Sequence, residues 1–312
     1  MKCRVCRAAA VVEVRRHNAG FCQDCFLAHC RNQVERTIKE HSMIAPGERA
    51  LVAVSGGKDS LALWDLLLQL GYRADGLYIG LGIEGYSDES AVFARRFAQE
   101  RAARLVQVDL PDDFGFDVRS AAAADHRVPC SACGLSKRHI FDQATLEGGY
   151  DVLATGHNLD DEAAVLLGNV LHWDLAYMAR QHPVLPSGDG FPRKVKPLVR
   201  LGERETAAYC VLQGIDYQVE ECPMSAGNRH LGYKDALNAI EERSPGTKAA
   251  FYGGFVDKAA QLLADIAEEG REGLHPCPRC GSPTTAAQLC AFCRLVERAT
   301  GQRRRRLPVS TQ

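Results

Sequence analysis

Ser55-Gly56-Gly57-Lys58-Asp59-Ser60 follows directly on the apolar run Leu51-Val52-Ala53-Val54 and precedes Leu61, Ala62, Leu63, Leu66, Leu67 and Leu70. A short β-rich run, two glycines and a helix-compatible stretch predict strand, tight loop and helix. That geometry aims backbone N–H groups and the positive end of a helix at whatever fills the loop, which suits a phosphate. Glycine is needed there because a side chain would hold the backbone away from the anion. The loop is not a Walker A motif, since Val52 stands where that motif requires glycine.

Further along, residues 75–79, 104–108 and 151–155 predict strands, and helical patterns follow at 90–103 and 162–170. This alternation predicts an α/β fold, a doubly wound parallel sheet with helices on both faces. Ligands of such sheets lie at the carboxyl ends of the strands, where residues 55–60 fall. Gly80-Leu81-Gly82-Ile83-Glu84-Gly85 matches the dinucleotide fingerprint, but it follows the second strand and its candidate acidic partner, Asp109, comes a few residues late. It reads better as a glycine-rich wall beside a nucleotide pocket.

Net charge of −1 and an isoelectric point near 6.8 exclude nucleic-acid binding through bulk charge and leave room for local patches. Hydrophobic content of 46% is ordinary for a globular chain of 312 residues. No apolar run approaches the roughly 20 residues of a membrane span, and no secretory signal opens the chain, so no membrane association and a cytoplasmic location are expected. In that compartment thirteen cysteines argue for metal or redox chemistry rather than disulfides.

The cysteines fall into groups. Cys3, Cys6, Cys22 and Cys25 form two C-x-x-C knuckles fifteen residues apart, and Cys277, Cys280, Cys290 and Cys293 repeat the pattern with nine between. Two knuckles enclose one tetrahedral ion, so each set predicts a closed structural zinc site, two Zn2+ in all. Such sites release about 10–16 kcal/mol on binding, enough to fold a loop that has no core. Cys30 and Cys210 read as small core residues. A third group is Cys130 and Cys133 with the distant Cys222. Three thiolates suit an iron–sulfur cluster with one open iron; a redox pair at Cys130 and Cys133, with Cys222 as bystander, fits the spacing equally well. Residues 226–272 look helical with few chemistry-bearing side chains. Arg303-Arg304-Arg305-Arg306 reads equally as an RNA-contacting arm or a solvated charge run.

Taken together, residues 55–60, Gly156-His157-Asn158-Leu159-Asp160-Asp161-Glu162, Cys130-x-x-Cys133, Cys222-Pro223 and the two terminal cysteine sets resemble the TtcA/TtuA family of PP-loop tRNA 2-thiolation enzymes, on its TtuA branch. The resemblance spans nearly all of residues 3–293. It implies that residues 55–60, with Gly156, His157 and Asp160, bind ATP, that Lys58 neutralises phosphate charge and that Asp59 helps hold Mg2+. It implies catalytic roles for Asp59, Lys137 and Asp161, and a 4Fe–4S cluster on Cys130, Cys133 and Cys222. Lys137 lies one helical turn past Cys133, facing the same pocket unless it is a surface lysine. Asp161 would hold magnesium or accept a proton, and Asp160 alternatively caps the following helix. The implied partners are tRNA, a ubiquitin-like sulfur carrier with a C-terminal thiocarboxylate and a second copy of the chain in a homodimer.

The organisation expected is a finger and linking helix at 1–45, a PP-loop domain at 46–225, a helical extension at 226–272, a second finger at 273–300 and a basic tail at 301–312. Two other readings stay open. Adenylation followed by amine attack gives no use to the cysteine trio; a zinc-ribbon RNA-binding sensor gives none to an intact Lys58 and Asp59. The modified base, wobble or T-loop uridine, depends on docking shape rather than motif, and the cysteine and catalytic pattern leans to the T-loop.

Overall fold

A computed structural model describes residues 1–224, 229–263, 265–266 and 272–301; the arginine run at 303–306 lies outside the described residues. Strand β3 (Arg49–Val54) is the hinge of the architecture. Its alternation sends Ala50, Val52 and Val54 into one hydrophobic core and Leu51 into another, as a strand covered on both faces must. β4 (Arg73–Gly80) and β5 (Leu105–Asp109) extend the sheet on one side; β6 (Val152–Thr155) and β8 (Arg193–Val195) extend it on the other, all parallel. The short β7 (Val184–Leu185) pairs antiparallel at the edge, giving the order β5-β4-β3-β6-β8-β7. The sheet is therefore mostly rather than wholly parallel.

The strand order reverses between β3 and β6, and crevices for ligands open at such switch points. Helix α2 (Lys58–Gln69) leaves β3 after residues 55–57 and is buried along Ser60 to Leu67. It lies in the first core with α1 (Gln23–Glu40), α3 (Tyr86–Glu100) and α8 (Glu203–Gln213). The opposite face is covered by α4 (Val118–Ala124) and α5 (Pro129–Glu147). Helix α6 (Leu159–His172) follows β6, and the one-turn α7 (Leu175–Met178) follows it. Against α6 pack α9 (Arg229–Arg243) and α10 (Thr247–Gly254), through Leu237 and Tyr252, with Phe255 just past α10 joining the same core.

Each terminal cysteine set joins a small hairpin to a helix. The first uses β1 (Val12–Val14) and β2 (Ala19–Phe21), with Cys22 at the N-cap of α1. The second uses β9 (His275–Pro276) and β10 (Pro283–Thr284), with Cys290 at the N-cap of α11 (Ala291–Thr300). Neither is a detached bead. Phe26, Cys30 and Val34 of α1 belong to the first core, and Phe292, Leu295 and Val296 of α11 belong to the second. Among the described residues no helix is long and apolar enough to cross a membrane.

Candidate nucleotide and thiol site

The loop after β3 is held from several directions. Ser60 Oγ accepts from Ser55 N at 3.1 Å and donates to Gly57 O at 2.9 Å, while Gln218 N donates to Gly56 O at 3.0 Å. Gly56 has φ of +80°, and a Cβ there would stand 2.5 Å from Ser90 O, so only glycine fits. Across the crevice, a Cβ on Gly156 would come within 2.9 Å of Ser60 N. The two loops are thus pressed together where β3 and β6 end side by side, with Ala53 opposite Thr155.

Between them and α5 lies a cavity of about 310 Å3. Ser55, Asp59, Ser60, Gly156 and His157 line its polar side; Ile79, Leu81, Tyr86 and Phe141 form apolar walls, and Lys137 reaches it from α5. The segment at 80–85 therefore does serve as a wall of this cavity through Leu81. Sequence reasoning gave no role to Tyr86 or Phe141, because wall residues carry no motif.

Behind the loop six residues close a ring, one link of it through backbone N–H groups. Lys58 Nζ contacts Asp59 Oδ2 at 3.1 Å and Glu203 Oε1 at 2.8 Å. Asn158 Nδ2 donates to Asp59 Oδ1 at 3.0 Å, and Asn158 Oδ1 accepts from Asp161 N at 3.1 Å. Asp161 Oδ1 pairs with Lys234 Nζ at 2.6 Å, and Lys234 reaches Glu203 Oε2 at 3.2 Å. Burial works against the charge of Lys58, but Asp59 and Glu203 outweigh it and raise its pKa above the ordinary lysine value. Burial likewise opposes ionisation of Glu203, yet Lys58 and Lys234 hold its carboxyl below the usual range. Glu203 and Lys234 are too far from the loop in sequence to be signalled by any spacing.

Two sequence expectations change. Asp160 does not enter the cavity: Oδ2 accepts from Glu203 N at 2.8 Å, and Oδ1 is taken by Lys248. Nor does it cap α6, whose cap is Asn158, reciprocated by Asp161 Oδ2 accepting from Asn158 N. Because α6 begins at Leu159, adjacent carboxylates point about 100° apart. The extension also carries more chemistry than expected, since Lys234 and Lys248 both come from it.

The thiol trio sits beside the same cavity. Pro129 starts α5, so Cys130, Cys133 and Lys137 follow at intervals of three and four along one face. The Cys130 thiol donates to Met224 O at 3.1 Å, tying α5 to the chain just past Cys222. Cys133, Cys222 and Met224 flank the second core, and burial pushes the Cys133 thiol up while Lys137 pulls it back. The other internal cysteines, Cys30 and Cys210, are shut in the first core. The donor set is three thiols, which fits a four-iron cluster with one iron left open. These sulfurs do not gather as closely as the terminal sets, whose four sulfurs each lie within 4.8 Å of one another. Cys6 and Cys22 sulfurs are 3.5 Å apart, and Cys280 and Cys290 sulfurs 3.6 Å. Tetrahedral zinc at about 2.3 Å from each sulfur requires roughly this spacing.

A phosphate-cradling loop at a sheet's switch point, sharing a cavity with a lysine and a thiol trio, defines an ATP-using PP-loop protein equipped for sulfur or redox chemistry. The 2-thiouridine synthetase TtuA N-terminal LIM domain matches residues 2–27, and the PP-loop domain matches residues 28–224. The chain is 50% identical to the tRNA-5-methyluridine(54) 2-sulfurtransferase of Thermus thermophilus, over 95% of this chain and 91% of that one. It is 39% identical to the protein of the same name from Pyrococcus horikoshii, over 94% and 93%. The solved U34-tRNA thiolase NcsA of Methanococcus maripaludis, with its 4Fe–4S cluster, superposes with a TM-score of 0.78 at 26% identity, covering 95% of each chain. This chain belongs to the TtuA/TtcA-like family of PP-loop tRNA 2-thiolation proteins.

Proposed function

We propose that this chain thiolates C2 of a tRNA uridine at the expense of ATP, with the T-loop 5-methyluridine as the favoured base. The observation that carries the reading is the shared cavity: Asp59 of the loop and Lys137 of the thiol-bearing helix line the same space. The 50% identity to an enzyme named for position 54 supports the choice of base.

In this reading the N-terminus of α2 and Lys58 take the β- and γ-phosphates. Asp59 would hold Mg2+, and the apolar wall of Ile79, Leu81 and Tyr86 would receive adenine. The C2 oxygen attacks the α-phosphorus, the bond to pyrophosphate breaks, and the N3 proton leaves to a base, for which Asp161 is the candidate. Lys137 stabilises the negative charge that builds on the α-phosphate. A sulfur nucleophile then bonds to C2, and the C2–O bond breaks with AMP as leaving group. When bound by Cys130, Cys133 and Cys222, a 4Fe–4S cluster would supply an open iron to hold that sulfur. The terminal sets hold one zinc each. The resemblance further supports a ubiquitin-like carrier with a C-terminal thiocarboxylate as sulfur donor, a homodimeric assembly and a cytoplasmic site of action.

The test uses anaerobically prepared full-length protein with ATP, sulfide and tRNA that carries the T-loop 5-methyluridine but no sulfur. AMP should form only with tRNA, and nucleoside mass spectrometry should find sulfur on the T-loop base. AMP formation indifferent to tRNA would overturn the reading, and sulfur on the wobble uridine would overturn the choice of base. Full thiolation by Cys222→Ala would end the cluster role and favour a redox pair.

A further inference from the structure

The three acidic residues that open α6 are each gripped by the helical extension. Asp160 pairs with Lys248, Asp161 with Lys234 at 2.6 Å, and Glu162 Oε2 accepts from Tyr252 Oη at 3.3 Å. Only one of these contacts touches the ring behind the phosphate loop. Lys234 does not line the nucleotide cavity, yet it fixes Asp161 Oδ1 and also reaches Glu203, whose other oxygen holds Lys58. Three partly buried ion pairs, Lys58 with Glu203, Lys234 with Glu203 and Lys234 with Asp161, thus meet directly behind the phosphate loop. We propose that Lys234 is a positioning residue for the adenylation step, setting the orientation of Asp161 and, through Glu203, the freedom of Lys58.

The geometry gives the mechanism. One Asp161 oxygen is already fixed by the α6 cap, accepting from Asn158 N at 3.1 Å; the Lys234 ammonium fixes the other. Without that ammonium the carboxylate keeps a single tether and can rotate. Glu203 loses one of its two cations and closes onto Lys58, the group meant for phosphate. α9 is anchored to α6 independently, through Leu237 and the packing of Tyr233 on Gly168, so the lysine is presented from a fixed scaffold.

This inference rests on the thiolation reading, and the experiment separates the two. Lys234→Met, Lys234→Arg, Asp161→Asn and the Lys234→Met/Asp161→Asn double variant are compared with wild type in tRNA-dependent AMP formation, ATP affinity and thermal melting. Lys234→Met should lower kcat by about 10- to 100-fold, as small misplacements of catalytic groups do, with KM for ATP within about 3-fold of wild type. Lys234→Arg should recover most of the rate, and the double variant should lose less than the product of the two single losses, the remainder being the share carried through Glu203. A raised KM with unchanged kcat would make Lys234 a nucleotide contact and overturn the proposal. So would a wild-type rate in Lys234→Met, additive losses in the double variant, or losses that track melting in both Met and Arg variants. Wild-type protein that forms no AMP with tRNA would overturn the thiolation reading and this inference with it; an active wild type beside an unimpaired Lys234→Met overturns this inference alone.

Discussion

Replacing Phe292 by alanine tests whether the C-terminal finger is part of the fold or an attachment to it. Phe292 lies between the ligands Cys290 and Cys293, yet its ring is 2% exposed and stacks on His139 of α5 with centroids 4.0 Å apart. It also meets Phe114 edge-on at 5.4 Å. Truncating a buried phenylalanine costs about 3–5 kcal/mol. With an unfolding entropy near 2.1 cal/mol/K per residue over 312 residues, that loss lowers Tm by about 5–8 °C. Scanning calorimetry on zinc-replete protein should show the main transition displaced by this amount. ATP titration at low temperature should be unchanged, because Phe292 does not line the nucleotide cavity. A main transition that stays in place while a small separate one softens would refute the argument and restore the finger as an independent module.

Asp59→Ala should stop AMP formation while sparing iron content, whereas Cys130→Ala should keep ATP binding and lose sulfur transfer; calorimetric ATP titration beside an iron assay on each variant distinguishes them. Elemental analysis should give about two zinc ions per chain whatever the iron content, and fewer with both cysteine sets intact would contradict the closed-site assignment. Lys58 is held above its ordinary pKa of 10.5, so its charge is fully present below that value and is lost only as pH rises through the higher folded one. ATP affinity should therefore stay flat from about pH 7.5 to 9.5, and weakening within that window would show that the Asp59 and Glu203 pairing does not hold the charge.

The sheet was legible because its strands are short apolar runs broken by turns. Residues 51–54, 75–79, 104–108 and 151–155 lie largely within β3, β4, β5 and β6. The terminal cysteine sets were legible because ligand spacing is local. Asp160 was misplaced for a local reason as well. With α6 expected from residue 162 both aspartates stood in the loop before it, and a start at Leu159 turns Asp161 into the ring and Asp160 toward Lys248. Glu203 and Lys234 were invisible because their partners are set by tertiary packing across 145 and 31 residues, respectively, and ordinary acidic and basic residues on helices carry no motif.

The ladder that aligns Ala53 with Thr155 has a consequence for turnover. Both loops hang from adjacent, hydrogen-bonded strands, and they approach so closely that even a Cβ on Gly156 would come within 2.9 Å of Ser60 N. The entropy of bringing them together is lost once, when the chain folds, and is not charged again at each catalytic cycle. The nucleotide half of the reaction works on a fixed anvil, whereas Cys130 is exposed and its join to the distant segment at 222–224 includes one thiol–carbonyl bond. Adjustment to a large substrate is thereby confined to the sulfur side of the cavity.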